Sequence, residues 1–206
     1  DNVVRLVPPG GSAAGLPGAT DVRGAELSAD GKLAVTFDEL GARVVDAGSG
    51  AEVRFFDRPG TTTAALSRNG RLLATGHAGK TVRVWDTATG ARLLKLFGHV
   101  GGIVAVAFSP DGALVASAST DGFARVWRVN DGVPVAVFAG HTNPLTDVAF
   151  SADGEQLVTA SRDRTVRVWK VDTSEPLAVL RGHTDGVSSA SFVGSGPLVV
   201  SASYDE

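Results

Sequence analysis

Three histidines, His99, His141 and His183, each follow a glycine and recur every 42 residues. In the same 42-residue units stand a serine and an aspartate two positions apart: Ser119 and Asp121, Ser161 and Asp163, Ser203 and Asp205. Serine, histidine and aspartate are the side chains of a hydrolytic triad, in which the aspartate orients an imidazole that takes the serine proton. An acyl-transfer enzyme needs one such set, whereas this chain repeats it three times and has no Gly-x-Ser-x-Gly elbow. The imidazoles could ligate a metal, but the repeat disperses them one to a unit. Gly79-Lys80-Thr81 has the ending of a phosphate-binding loop, yet the glycine required five residues earlier is Ala74. These residues therefore read as a repeated structural device, with no catalytic, metal or cofactor site expected.

Composition narrows the partners. The chain has 206 residues, 43% of them hydrophobic, enough for one sizeable core. Its formal charge is −3 with both signs dispersed, so no basic face for nucleic acid is expected. No run reaches the roughly 18 apolar residues that span a bilayer, and the N-terminus lacks a secretory layout. No membrane partner and a cytoplasmic setting are the expectations. The absence of cysteine excludes disulfides. The absence of methionine implies a sequence that begins part-way into a longer one, and the dominance of arginine over lysine, 15 to 4, suggests a GC-rich bacterial gene.

The elements that position the repeated residues follow from the same period. Trp85, Trp127 and Trp169 are also 42 residues apart, as are Ser67, Ser109 and Ser151, which open "SRNG", "SPDG" and "SADG". An earlier copy opens at Ser28, and "VGSG" (193–196) is a weakened later one. Within each unit, runs such as "LTDVAFS" (145–151), "EQLVTAS" (155–161) and "TVRVWK" (165–170) are short and rich in Val, Thr, Phe and Trp. Asp-Gly, Asn-Gly and Gly-His punctuation separates them, the pattern of strands in hairpins. A fourth run closes each unit: "EVRFF" (52–56), "RLLKLF" (92–97), "PVAVF" (134–138) and "PLAVL" (176–180). Four strands per unit predict an all-β propeller of four-stranded antiparallel blades. The expected blades are 8–56 (degenerate), 57–98, 99–140, 141–182 and an incomplete 183–206, with "VVRLV" (3–7) as the last strand of a preceding or closing blade.

The stretch "GHTNPLTDVAFSADGEQLVTASRDRTVRVWK" (140–170) and its copy at 98–128 resemble WD repeats, and the resemblance extends over nearly the whole chain. It implies a hydrogen-bonded relay in each blade of a loop histidine, a second-strand hydroxyl, a turn aspartate and a third-strand tryptophan. By position these are His99, Ser119, Asp121 and Trp127, then His141, Ser161, Asp163 and Trp169, then His183, Ser203 and Asp205. Indole only donates, carboxylate only accepts, and hydroxyl and imidazole do both, so such a chain can satisfy every buried polar atom. The blade at 57–98 has Asp57, His77 and Gly79 at the first three positions, and the first blade has Val45 in place of tryptophan. Both are expected to rely on packing alone.

WD-repeat resemblance implies a protein or peptide partner, bound by loops at one rim. Candidate contact residues are those that vary inside the constant frame: Thr120, Arg162 and Tyr204 in the turns, and Asn143, Thr146, Asp185 and Ser188 in or beside the Gly-His loops. Such propellers serve as interaction scaffolds or as sensor modules of larger bacterial signalling proteins. The usual seven blades exceed the four and a half encoded here, so the remaining blades are expected from the same or another chain.

Overall fold

The computed structural model describes residues 5–6, 14–15, 22–57 and 59–205. Its first two strands, β1 (Arg5–Leu6) and β2 (Ala14–Gly15), pair antiparallel with each other. The rest of the expected strand at 3–7, and most of the insertion at 8–20, lie outside the described residues, as does the side chain of Asp57.

Four antiparallel sheets of four strands follow in chain order. The first holds β3 (Gly24–Leu27), β4 (Leu33–Phe37), β5 (Gly41–Asp46) and β6 (Glu52–Asp57); the second, β7 (Thr61–Leu66), β8 (Leu72–His77), β9 (Val82–Asp86) and β10 (Arg92–Leu96). The third holds β11 (Ile103–Phe108), β12 (Leu114–Ser119), β13 (Ala124–Arg128) and β14 (Pro134–Phe138); the fourth, β15 (Leu145–Phe150), β16 (Gln156–Ser161), β17 (Val166–Lys170) and β18 (Pro176–Leu180). A pair, β19 (Val187–Phe192) and β20 (Val199–Ser203), completes the described chain. Among the described residues no helix is long and apolar enough to cross a membrane.

The Ser-x-Asp-Gly punctuation builds the first hairpin of each sheet. In 109–114 the Ser109 hydroxyl donates to Asp111 Oδ1 at 2.6 Å and accepts from the Leu114 N–H at 2.9 Å. The backbone turns back at Gly112, whose φ of +75° an L side chain adopts only with strain. Ser28, Ser67 and Ser151 make the same pair of bonds. In the weakened copy Val193 replaces the serine, and the turn keeps the backbone bond from Val193 N–H to the Leu198 carbonyl with Gly194 at φ +62°.

The core lies between neighbouring sheets. The second strands β8, β12 and β16 are buried on both faces, whereas β20 of the last pair is partly exposed, and the fourth strands β14 and β18 are largely exposed. Trp85, Trp127 and Trp169 stand opposite Leu73, Val115 and Leu157 across the same pair of strands, and Val45 stands opposite Ala34 in the first sheet. Each indole fills the gap to the preceding sheet; Trp169 packs against Phe138 of β14 with ring centroids 5.7 Å apart. Gly76 keeps the second and third sheets close, since a Cβ there would stand 2.5 Å from Ile103 Cγ2. Side chains also tie successive first strands: the Thr62 hydroxyl donates to the Ile103 carbonyl and that of Thr146 to the Val187 carbonyl, both at 2.6 Å. Asp147 Oδ2 accepts from the Ala190 N–H at 3.1 Å. At the intervening position Val104 has no hydroxyl to offer.

Candidate functional site

The Gly-His loops and the turns between second and third strands share one rim, because every sheet enters from its loop at that end. The loop glycines have φ of +134° at Gly98, +155° at Gly140 and +147° at Gly182. A Cβ at Gly98 would crowd the guanidinium of Arg125 at 3.3 Å. Glycine therefore lets an arginine of the third strand lie flat against the loop, and the next residue turns its imidazole into the sheet.

There the imidazole bridges a carboxylate and a hydroxyl. His141 Nδ1 lies 2.8 Å from Asp163 Oδ2, and Nε2 lies 2.8 Å from Thr159 Oγ1. A carboxylate only accepts, so Nδ1 carries the hydrogen and Nε2 accepts from the threonine hydroxyl, which in turn accepts from the Trp169 N–H at 2.9 Å. Donation runs from Trp169 to Thr159 to His141 and ends on Asp163, which only accepts. In the third sheet His99 makes the matching contacts with Asp121 at 2.8 Å and Ser117 at 2.9 Å. His183 does so with Asp205 and Ser201, both at 2.9 Å.

The hydroxyl of this relay is thus two residues earlier than expected: Ser117, Thr159 and Ser201 in place of Ser119, Ser161 and Ser203. Residues i and i+2 of a strand share a face, so the two hydroxyl residues of each second strand lie on the same side of the sheet. The imidazole, anchored on the turn aspartate, reaches the hydroxyl in mid-strand. The later hydroxyl has a different task at the strand end: it accepts from the backbone N–H of Asp121, Asp163 or Asp205. Ser161 also donates toward the Asn143 and Pro144 carbonyls, and Ser203 toward those of Asp185 and Gly186. Trp127 departs from the expectation as well. Among the described residues its N–H makes no hydrogen bond, and its ring stands edge-on to His99 with centroids 5.9 Å apart.

The two degenerate blades do not rest on packing alone. In the second sheet the Trp85 N–H donates to Thr75 Oγ1 at 2.9 Å, and Thr75 lies 3.0 Å from His77 Nε2. A histidine of the second strand thereby takes the place of the loop histidine. In the first sheet Asp38 accepts from the N–H groups of Leu40 and Gly41 and lies 3.8 Å from Arg43, whose guanidinium stacks on Phe55. Gly79-Lys80-Thr81 forms the turn between β8 and β9, with Lys80 in the left-handed region at φ +67°.

Electrostatics suit a neutral imidazole. Burial is the largest influence on His99 and His141 and pushes both below the ordinary histidine value, against the opposing pull of Asp121 and Asp163. For Asp121 burial acts upward but is outweighed by the Val100 N–H, the His99 ring and the Phe123 N–H. For Asp163 it is outweighed by the Thr165 hydroxyl, the His141 ring and the Thr142 N–H, so both carboxyls are held below their usual range. A histidine value lower in the folded than in the unfolded state makes its contribution to stability complete above the unfolded value of about 6.5 and progressively lost as pH falls below it. Imidazole titration by NMR is expected to give His99 and His141 midpoints below about 6.5, with Nε2 unprotonated at neutral pH. A midpoint at or above that value for both rings would remove the relay as drawn.

Ser117, His99 and Asp121 have the contacts of a hydrolytic triad, but not its access. Ser117 is 0% exposed, and the side chains of His99 and Asp121 are 1% and 3% exposed, so no carbonyl can approach the hydroxyl. Among the described residues no three His, Asp or Glu side chains gather as a metal site.

What the relay leaves exposed is the rim. Thr120, Thr146, Arg162, Ser188 and Tyr204 line one cavity of about 310 Å³ together with Val104, Pro144 and Leu145. Asn143 and Asp185 are exposed in their loops and do not line it.

Residues 51–86, 90–128, 132–170 and 174–206 match the family model described as WD domain, G-beta repeat. Each matched unit takes the fourth strand of one sheet and the first strands of the next, so the repeat itself spans the junction between blades. A search among curated proteins finds no match.

Proposed function

Because this chain belongs to the WD-repeat family, whose propellers generally mediate protein–protein interaction, we propose that it is a non-catalytic interaction scaffold that binds a protein or peptide across the Gly-His rim. The observation that carries this is the cavity: five of the seven variable positions converge on one concavity though they come from three sheets. The side chains whose geometry repeats from sheet to sheet are engaged internally, each relay aspartate accepting from its imidazole and from a backbone N–H. The exposed ones are free to select. Tyr204, 75% exposed, and Arg162 are residue types that dominate interface energetics when a partner covers them.

A random dodecapeptide library panned on the 206-residue chain tests this. Selected peptides are expected to lose roughly tenfold or more in affinity on Tyr204→Ala or on Thr146→Phe, which fills the cavity without adding charge. Arg71→Ala, in a hairpin turn of the opposite rim, is expected to leave binding unchanged. Peptides that bind both cavity variants as well as the unaltered chain would place recognition elsewhere and end this reading.

A further inference from the structure

We propose that the rim cavity takes an anionic side chain, a carboxylate or a phosphate, from an extended segment of the partner, with Arg162 as the group that holds it. The proposal rests on the rim-binding reading and names the chemistry of its ligand.

Arg162 is a cation with a fixed root and an unengaged head. Its backbone N–H donates to the Pro144 carbonyl at 3.0 Å, which locks the turn against the Gly-His loop. Its guanidinium makes no hydrogen bond or ion pair among the described residues. Arg23, Arg43, Arg54 and Arg128 are committed, to Glu39, to Asp38 and Glu52, to the Thr87 and Ala88 carbonyls and to Asp131 respectively; among the described residues the guanidinium groups of Arg68, Arg71, Arg92, Arg164 and Arg181 are also without such a bond, but none of these lines the cavity.

The cavity supplies no counter-charge. No aspartate or glutamate lines it. The turn aspartates are already engaged: both oxygens of Asp163 are occupied by His141, Thr142 and Thr165, and Asp205 is held by the His183 ring and the Thr184 N–H. Both oxygens of Asp121 are occupied by His99, Val100 and Phe123. The hydroxyls divide in the same way. Thr146 donates to the Val187 carbonyl and Ser188 to that of Ala202, but Thr120 Oγ1 has no partner among the described residues. Two uncommitted donors, a planar guanidinium and a hydroxyl, thus line a hollow walled by Val104, Pro144 and Leu145, with the open face of Tyr204 beside them. A guanidinium pairs two-pronged with carboxylate or phosphate oxygens. At about 310 Å³ the cavity is of a size for one side chain and its neighbours, at the lower end of ligand pockets.

Four pools of dodecapeptides with randomised flanks and a fixed central glutamate, phosphoserine, glutamine or lysine provide the test. The chain is expected to retain the glutamate or phosphoserine pool roughly tenfold over the glutamine pool, and to retain the lysine pool least. Which acidic pool dominates distinguishes carboxylate from phosphate. Arg162→Ala is expected to abolish the preference and Arg162→Lys to restore part of it. Arg164→Gly is expected to leave it intact, because Arg164 lies outside the cavity and its counterpart in the third sheet is Gly122, with φ of +70° and +85° respectively. Equal retention of all four pools, with loss on Tyr204→Ala, would overturn the anion assignment and leave the rim reading standing. Retention of no pool, or an acidic preference unchanged in Arg162→Ala, overturns the proposal as well.

Discussion

Asp163→Ala is expected to lower the free energy of unfolding by about 3 kcal/mol, more than any other single change on the rim. The carboxylate takes four donors: the His141 ring, the N–H groups of Thr142 and Thr165, and the Thr165 hydroxyl, at 2.6 to 3.1 Å. Its side chain is 6% exposed, so water can replace only part of what is lost. Each unsatisfied buried group costs about 1–3 kcal/mol, and the costs are not additive because the freed loop relaxes. Asp163→Asn keeps an acceptor oxygen and is expected to lose less. Asp205→Ala removes the same kind of contacts at a more open place, where the side chain is 19% exposed, and is expected to be milder again. Urea unfolding followed by circular dichroism gives the order; equal losses for Asp163→Ala and Asp205→Ala would show that burial does not set the strength of these pairs.

Trp169→Ala is expected to cost about 3–5 kcal/mol, the range for removing a buried aromatic ring. Trp169 is 1% exposed and joins β17 to Phe138 of the preceding sheet, so its removal opens a void at a blade junction. Trp169→Phe keeps most of that contact and forfeits the N–H donated to Thr159, for an expected loss of about 1–2 kcal/mol beyond the smaller ring's packing. The pair Thr159→Val and Ser161→Ala separates relay from turn: the first leaves both the indole N–H and the His141 Nε2 without a partner, and the second leaves the relay intact. A larger loss for Ser161→Ala than for Thr159→Val, measured by the same unfolding curves, would return the hydroxyl to the later position.

The strands were legible because period and punctuation agree. The turns "SRNG", "SPDG" and "SADG" and the runs "VRVW", "ARVW" and "VRVW", each at a 42-residue spacing, dictate hairpins whose apolar residues meet only if the sheets stack side by side. The relay hydroxyl was not legible, because "ASAST" and "VTASR" each offer two hydroxyls on the same face of one strand. Only the height of the imidazole above the strand, set by its aspartate, chooses between them. His77 was misread for a related reason: its blade lacks a loop histidine, and nothing local says that a second-strand histidine will turn back onto Thr75. The rim residues were legible as variable positions, but not as one cavity. Thr146 and Arg162 come from one sheet, Ser188 and Tyr204 from the next and Thr120 from the one before, and their convergence depends on how the blades stack.

The division of labour between buried relay and exposed rim is tested most directly by amide hydrogen exchange of the 206-residue chain with and without the tightest selected dodecapeptide. Protection is predicted at 142–146 and 184–188 and in the turns at 120–122 and 162–164. The opposite hairpins at 109–113 and 151–155 are predicted to exchange unchanged. Protection of those opposite hairpins, with the Gly-His rim exchanging as in the free protein, would contradict the account.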